Sequence, residues 1–555
     1  MSDRPIWLSM PRIPYASRTF RWCRSTVRRL DPDLTALRAT TVTMAATLAA
    51  YGSALLLEHA RHLHTDLLIQ AVALTLAFSR TGPGTGPAGR ILPLAVLPPV
   101  AVAAAETARL MSAHPAAGDA VFTVLLGATI AVRRFGPRAT GAGTLAVLPL
   151  IAVLVAQVPG VPPPGHAQDV WAALVALIAA SWGLAARWAA ERTGFTRPAA
   201  PAYAPPARAG GGRRPSASTR MSLQMTGAVG AAFAAGHLAF PGHWAWVVLT
   251  AFVVCSGARG RADVLHKGVL RTIGAAAGTA AATVTAGAFG AHDPRGVVVI
   301  FTVLTAATWL RHFGYAYWAG GVTAVLALLY GYFGQSAPDL LGTRLEAIAV
   351  GAVLGVAASW LILPIRSADV LRRRAADALA VLQDVLAAAR RDPDRLAGHQ
   401  VRFDGAVRRL EQIAGPLRAH RGLRRAVGRP HRAHPADAID TLRRCAGPVH
   451  AIARRAAEHH DVLAAPGIPR LHAAVTADLV RARRAVGGRT VPGRHPAALE
   501  EPAPMTPGSP ADRVRAALIE LDTALRALQR IFAVARGGPG PVTRHAATKR
   551  TRVRA

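Results

Sequence analysis

Five arginines stand at or near the ends of apolar runs: Arg38, Arg133, Arg220, Arg271 and Arg311. An arginine there can do one of two things. Its forked guanidinium draws in and holds organic anions, or it reaches back to lipid headgroups and fixes which side of a membrane the adjoining loop occupies. Arg133 and Arg311 occupy corresponding places in two copies of one sequence pattern. Symmetry would put their charges at matching depth about a central axis, as an anion-selecting ring requires. Arg271 stands ahead of Gly274 and Gly278, small residues that let helices approach closely. Tyr317 and Trp318 follow Arg311 and are placed to stack on an aromatic substrate, although interfacial aromatic belts account for them equally. Two carboxylates also lie in apolar runs, Glu346 two residues after Arg344 and Glu106 one turn before Arg109. A carboxyl group in a low-dielectric site takes up protons nearer neutral pH, the chemistry that proton-coupled transport needs. The spacing of Glu106 and Arg109 favours pairing along one helix face. Glu346 is therefore the stronger proton-carrying candidate of the two.

Other combinations lead nowhere chemical. His237 and His243 read as interfacial residues, and Glu458-His459-His460-Asp461 as a solvated helix end, because adjacent helical histidines point to different faces. Cys23, Cys255 and Cys445 are far apart and make neither a disulfide framework nor a thiolate zinc site. The chain has no GxxxxGK[ST], HExxH or GxSxG pattern. No cofactor, metal or enzymatic activity is expected.

The elements that must position these residues are membrane helices. The 555 residues are 52% hydrophobic and 17% charged, with a net charge of +35. Their mean hydropathy is +0.27. Soluble chains are about a quarter charged, and a nucleic-acid binder would concentrate its basic residues on a polar domain, whereas here the charge alternates with apolar blocks. Nucleic acid is thus an unexpected partner and the lipid bilayer an expected one. Twelve apolar runs read as spanning candidates: 37–57, 67–78, 91–107, 121–132, 145–158, 170–186, 221–238, 244–255, 272–289, 297–310, 322–333 and 345–363. Alternate loops collect the cations, with Arg80 and Arg90, then Arg133, Arg134 and Arg138, then Arg259, Arg261 and Lys267, then Arg311. The intervening loops 157–169 and 335–342 have none. This asymmetry puts both termini in the cytoplasm. The polar, Arg-rich opening lacks the apolar core of a cleavable signal peptide.

The halves resemble each other. Residues 133–150 align without gaps to 311–328 and share about eight of eighteen positions, including Arg133/Arg311, Phe135/Phe313 and Gly136/Gly314. Six spans per half give both copies one orientation, related by an axis along the membrane normal, with a substrate pathway between them. The expected fold class is an all-α polytopic membrane protein of two six-helix repeats, about 12 transmembrane helices, with a C-terminal cytoplasmic α-helical domain. Its parts are a basic cytoplasmic N-terminus (1–34), the first transmembrane repeat (35–190), a Pro/Gly/Arg-rich linker (191–219), the second repeat (220–365), the helical domain (366–536) and a basic disordered tail (537–555). In the helical domain Leu371, Ala375, Leu379, Leu382 and Leu386 share one helix face. Ser509-Pro510-Ala511-Asp512 opens a further helix with a hydroxyl N-cap.

His243-Trp-Ala-Trp-Val-Val-Leu-Thr250, Asp263-Val-Leu-His-Lys-Gly268 and Arg271-Thr-Ile-Gly-Ala-Ala-Ala-Gly-Thr279 together resemble the integral-membrane transporter domain of the fusaric acid resistance family, relatives of the aromatic acid exporters and, more distantly, of plant aluminium-activated malate channels. The resemblance runs from about Arg220 to Pro364, with the first half a weaker copy. It implies an inner-membrane exporter of small organic, often aromatic, acids, driven by the proton gradient. A passive organic-anion channel and a membrane-anchored protein acting through its helical domain stay open as alternatives, and so does homo-oligomerisation. Ala, Arg and Gly enrichment suggests a bacterial source and hence the bacterial cytoplasmic membrane.

Overall fold

A computed structural model describes residues 31–61, 66–81, 87–156, 168–196, 215–286, 290–334, 339–392, 395–428, 433–459, 461–489 and 508–534. Every regular element among them is a helix. Residues 1–30 of the basic N-terminus, 197–214 of the linker, the tail 537–555, His460 and most of loops 157–169 and 335–342 lie outside the described residues.

The helices separate into two compact units, and among the described residues the first takes in those up to 196, 215–257 and 267–364. Its described helices are α1 (Thr35–Arg61), α2 (Asp66–Arg80), α3 (Pro87–Ala113), α4 (Pro115–Ala131), α5 (Pro137–Ala156), α6 (Gln168–Arg192), α7 (Ala217–Ala239), α8 (Trp244–Cys255), α9 (Arg261–Ala286), α10 (Pro294–Leu310), α11 (Tyr315–Tyr332) and α12 (Asp339–Leu361). Each of the twelve apolar runs overlaps one of them. By length and composition, however, only six helical stretches among the described residues suffice to cross a membrane: Thr35–Arg61, Gly89–Ala113, Pro115–Phe135, Pro137–Val155, Asp169–Arg192 and Gly342–Leu361. Leu67–Ser79, Trp244–Cys255 and Pro294–Leu310 are apolar but shorter. Polar residues dilute the rest: Arg220 and Gln224 in α7, Asp263, Lys267 and Arg271 in α9, tyrosines in α11.

Small residues bring these helices together. Ser222 Oγ of α7 donates to the Gly127 carbonyl of α4 at 2.7 Å. A side chain at Gly127 would collide with Thr226 Oγ1. Around that contact Phe122, Leu126 and Leu150 of the first six helices share one apolar core with Val229, Phe233, Val247 and Ile348 of the second six. Pro93, Pro98 and Pro99 lie inside α3 and Pro149 inside α5. Each removes one backbone donor, a loss membrane helices tolerate when neighbours satisfy the freed carbonyl.

Among the described residues the second unit takes in 258–266, which include the first turns of α9, and those from 365 onward. Its described helices are α13 (Ser367–Arg391), α14 (Leu396–Glu411), α15 (Ala414–Ala426), α16 (Pro435–Arg444), α17 (Ala446–Glu458), α18 (Ile468–Val486) and α19 (Pro510–Val534). Leu371, Ala375, Leu379, Leu382 and Leu386 are all buried, as their shared face predicts, against Phe403, Leu442, Leu479 and the Leu518, Leu521, Leu525 and Leu528 stripe of α19. Ser509 Oγ accepts from the Asp512 backbone N–H at 3.1 Å and caps α19.

Polar groups stitch α14, α15 and α16. Arg418 bridges Glu411 and Asp440, and Arg421 bridges Asp437 and Asp440. His434 caps α16, its Nδ1 accepting from the Ala436 N–H at 3.1 Å. Its Nε2 lies 2.9 Å from His420 Nδ1. Burial, and then His420 beside it, hold the His434 imidazole below its ordinary pKa; burial does the same to His472, opposed by the Leu386 carbonyl. Both rings are therefore kept neutral by folding. The unfolded chain binds more protons between those depressed values and the ordinary histidine value of about 6.5, so their contribution is complete above about pH 6.5 and is lost as the pH falls through that window. Protection of α16 amides from hydrogen exchange, measured in the full-length protein and corrected for intrinsic rate, should decline on acidification. His434→Asn retains a capping side chain that does not titrate and should flatten the decline; an unchanged pH profile would remove His434 as its source.

Candidate functional site

A cavity of about 300 Å³ lies within the first unit. Tyr51 of α1, Val72 and Leu76 of α2, and Ile151 and Val155 of α5 line it from the first six helices. Leu249 and Val253 of α8, Arg271 of α9, Phe301 of α10, and Trp318 and Val322 of α11 line it from the second six. The walls are aliphatic and aromatic, with Tyr51 and Phe301 packed edge to face at 5.0 Å. Among the described residues Arg271 is the only charged one in the lining.

The packing of α9 on α11 puts it there. A Cβ at Gly274 would meet the Ala316 carbonyl and Ala319, and one at Gly278 would strike the Gly320 carbonyl, so the two backbones touch. One turn back, Arg271 is 3% exposed. One of its terminal nitrogens donates to the Ala319 carbonyl at 3.3 Å and to Thr323 Oγ1 at 3.5 Å. Its Nε has no hydrogen-bond partner, and no carboxylate among the described residues forms an ion pair with it. A buried guanidinium without a counter-charge is costly. It is chemically set to receive an anion.

The other residues singled out from the sequence are scattered. Trp318 lines the cavity, with the Arg311 guanidinium 5.9 Å from its ring centre. Tyr317, one residue earlier, is 57% exposed. Arg133 lies in the 3-10 turn Val132–Phe135 between α4 and α5, half-buried and away from the cavity lining. Arg38 is exposed and packs over Phe195 at 5.8 Å. Arg220 donates to the carbonyls of Leu363 and Pro364, where Gln224 also bonds Ile362 and Leu363, so its guanidinium is committed to the chain leaving α12. Glu106 is exposed and paired with Arg109, whose guanidinium also bonds Asp169 at 2.6 Å. Glu346 is exposed and outside the cavity lining.

Arg344 is the residue that sequence reasoning passed over. It is buried, with its guanidinium 4.4 Å from the Trp246 ring centre and 4.8 Å from that of Tyr330, and its Nε and one terminal nitrogen have no hydrogen-bond partner. Residues two apart on a helix face away from each other, which is why Arg344 points inward and Glu346 outward. An arginine at the threshold of the last apolar run, with no acid three or four positions away, was the legible signal.

Residues 227–358 match a family model described as fusaric acid resistance protein-like. This stretch is similar to a fusaric acid resistance-like domain. The domain takes in most of α7 and α8 to α11 whole, ends within α12, and contains Arg271, Arg311, Trp318 and Arg344; Arg38, Arg133, Arg220 and Glu106 lie outside it. A search of curated proteins finds no match to the chain. The fusaric acid resistance-like domain and the apolar helices together make this a membrane protein.

Proposed function

We propose that the protein is a multi-pass transporter of the bacterial cytoplasmic membrane that exports small aromatic acids. The observation that carries this reading is the lone buried Arg271 in an otherwise aliphatic and aromatic cavity built from both groups of six helices. The guanidinium would take the carboxylate, and Trp318, Phe301 and Tyr51 would pack on the ring. A cavity of about 300 Å³ is at the small end of ligand sites, in scale with a single-ring acid.

Helix lengths support a duplicated architecture that exposes the cavity to either side in turn. They run 27, 15, 27, 17, 20 and 25 residues in α1 to α6 and 23, 12, 26, 17, 18 and 23 in α7 to α12. A long, short, long, middling order thus occurs twice. The arginines Arg133 and Arg311 both follow a 17-residue helix opened by proline. We read all twelve helices as membrane-embedded on this basis, the short ones completed by flanking residues.

The test is flux of labelled benzoate in proteoliposomes, with and without a pH gradient at fixed membrane potential. Uphill movement that collapses with the pH gradient is expected. Movement that follows only the anion's own electrochemical gradient would make the protein a passive channel, and no movement in folded protein would end the transport reading.

A further inference from the structure

A second, open groove of about 640 Å³ runs between α4 and α7. Pro115, Asp119 and Thr123 line one wall and Gly230, Phe233 and His237 the other. Among the described residues Asp119 and His237 are the only titratable groups in its lining. They meet across it, His237 Nε2 lying 2.7 Å from an Asp119 carboxylate oxygen. The ring is held in place by Phe233, stacked at 6.3 Å, and by Trp244 at 5.2 Å. The side chains are nevertheless reachable, His237 being 37% and Asp119 13% exposed.

We propose that Asp119 and His237 form the proton-binding site that couples transport to the proton gradient, a proposal that rests on the transporter reading above. Their placement is the reason. The pair joins a helix of the first six to a helix of the second six, so its strength depends on how the two groups are disposed. Asp119 lies one turn into α4, about 6 Å from the helix start at 1.5 Å per residue, within reach of water at that end. About 12 Å deeper, by the same rise, the Ser222 Oγ to Gly127 carbonyl bond, with the Thr226 side chain packed on Gly127, holds the helices close and serves as a pivot. The Asp119–His237 bond is the latch at the far end.

Proton bookkeeping is simple. With neutral imidazole, Nε2–H donates to the carboxylate and the pair carries one negative charge. One proton taken up on Nδ1 gives an imidazolium–carboxylate pair of zero net charge, whose charge-assisted bond is the stronger of the two. No bond between heavy atoms forms or breaks. The loaded latch closes the α4–α7 contact and the unloaded latch loosens it. The remaining charged and titratable groups on elements packed near this end are His114 before α4, Glu106 and Arg109 on α3, His243 before α8, and Arg344 and Glu346 on α12; among the described residues none bonds to the pair. Glu106 and Glu346, by contrast, bridge no helices between the two groups of six among the described residues.

Asp119→Asn keeps the shape and a hydrogen bond but cannot hold the charge. In proteoliposomes a pH gradient of about one unit supports about tenfold accumulation at one proton per acid. The variant should lose that accumulation while exchanging labelled for unlabelled benzoate, with no gradient, at close to the wild-type rate. Wild-type accumulation by the variant, or loss of exchange and accumulation together, would overturn the proposal and leave the pair a structural tether. A wild-type protein that neither accumulates nor exchanges benzoate would instead overturn the transporter reading. The site is then read directly by infrared difference spectra of a pH step on vesicles without any acid. A carboxyl or imidazole band present in wild type and absent from Asp119→Asn and His237→Gln supports it, and identical spectra overturn it.

Discussion

Replacing Arg271 with Met should weaken binding of aromatic acids about a hundredfold and, at the same time, make the empty protein more resistant to heat. The two effects come from one fact. Arg271 is buried with two long hydrogen bonds, a bare Nε and no counter-charge among the described residues. Removing one partner of a buried, hydrogen-bonded charge pair costs on the order of 3 kcal/mol, or about a hundredfold in affinity. Without ligand the same guanidinium is an uncompensated buried cation, and an apolar residue of similar volume in its place is commonly stabilising. Equilibrium binding of labelled benzoate to the detergent-solubilised protein and its thermal unfolding without ligand measure the two. A structural arginine would give the opposite pattern, with lower heat resistance and unchanged affinity. Arg271→Lys should recover only part of the binding, because a compact ammonium cannot bond the Ala319 carbonyl and grip a carboxylate with a planar fork together.

Gly278→Val should prevent accumulation of folded protein. The new Cβ would be driven into the Gly320 carbonyl, and a backbone atom cannot swing aside as a side chain can. Overpacking of well-packed sites costs about 1 to 3 kcal/mol and more where nothing yields, so the cost here should be at or above the upper figure. Separation of α9 from α11 would also draw Arg271 from Ala319 and Thr323. Gly331→Ala is the control, since a Cβ there meets nothing within 4 Å, and alanine is the better helix former by up to about 1 kcal/mol. The yield of monodisperse protein after solubilisation distinguishes them; equal yields would mean that the α9–α11 contact is not what holds Arg271 in the cavity.

Hydropathy located the helices well and the site poorly, for physical reasons. Apolar runs report helices because burial and membrane insertion both demand them, and α8 coincides with its run, residues 244–255. The 3.6-residue period placed Leu379, Leu382 and Leu386 inside the second unit because one amphipathic face has one solution. Spanning capacity was less legible. Polar residues in α7, α9 and α11 are tolerated by neighbouring helices, and a hydropathy window does not see neighbours. Within the site, Arg271 was legible as an arginine ahead of glycines, but nothing local distinguished it from Arg220, whose guanidinium is spent on the carbonyls of Leu363 and Pro364. That difference depends on contacts more than a hundred residues away in sequence. The Asp119–His237 bond is of the same kind, made between residues 118 apart.

The apolar wall of the Arg271 cavity also bears on the energy economy of the cell. Cavities lined by aliphatic and aromatic side chains stay dry when nothing polar occupies them, and hydrophobic constrictions block ions by dewetting. Arg271 adds a positive charge on the same path, which repels hydronium. On the transport reading, apolar wall and fixed charge together would interrupt any chain of waters along which protons could hop between cargo molecules. A membrane carrying many copies of such a transporter would then keep its proton gradient while they stand idle.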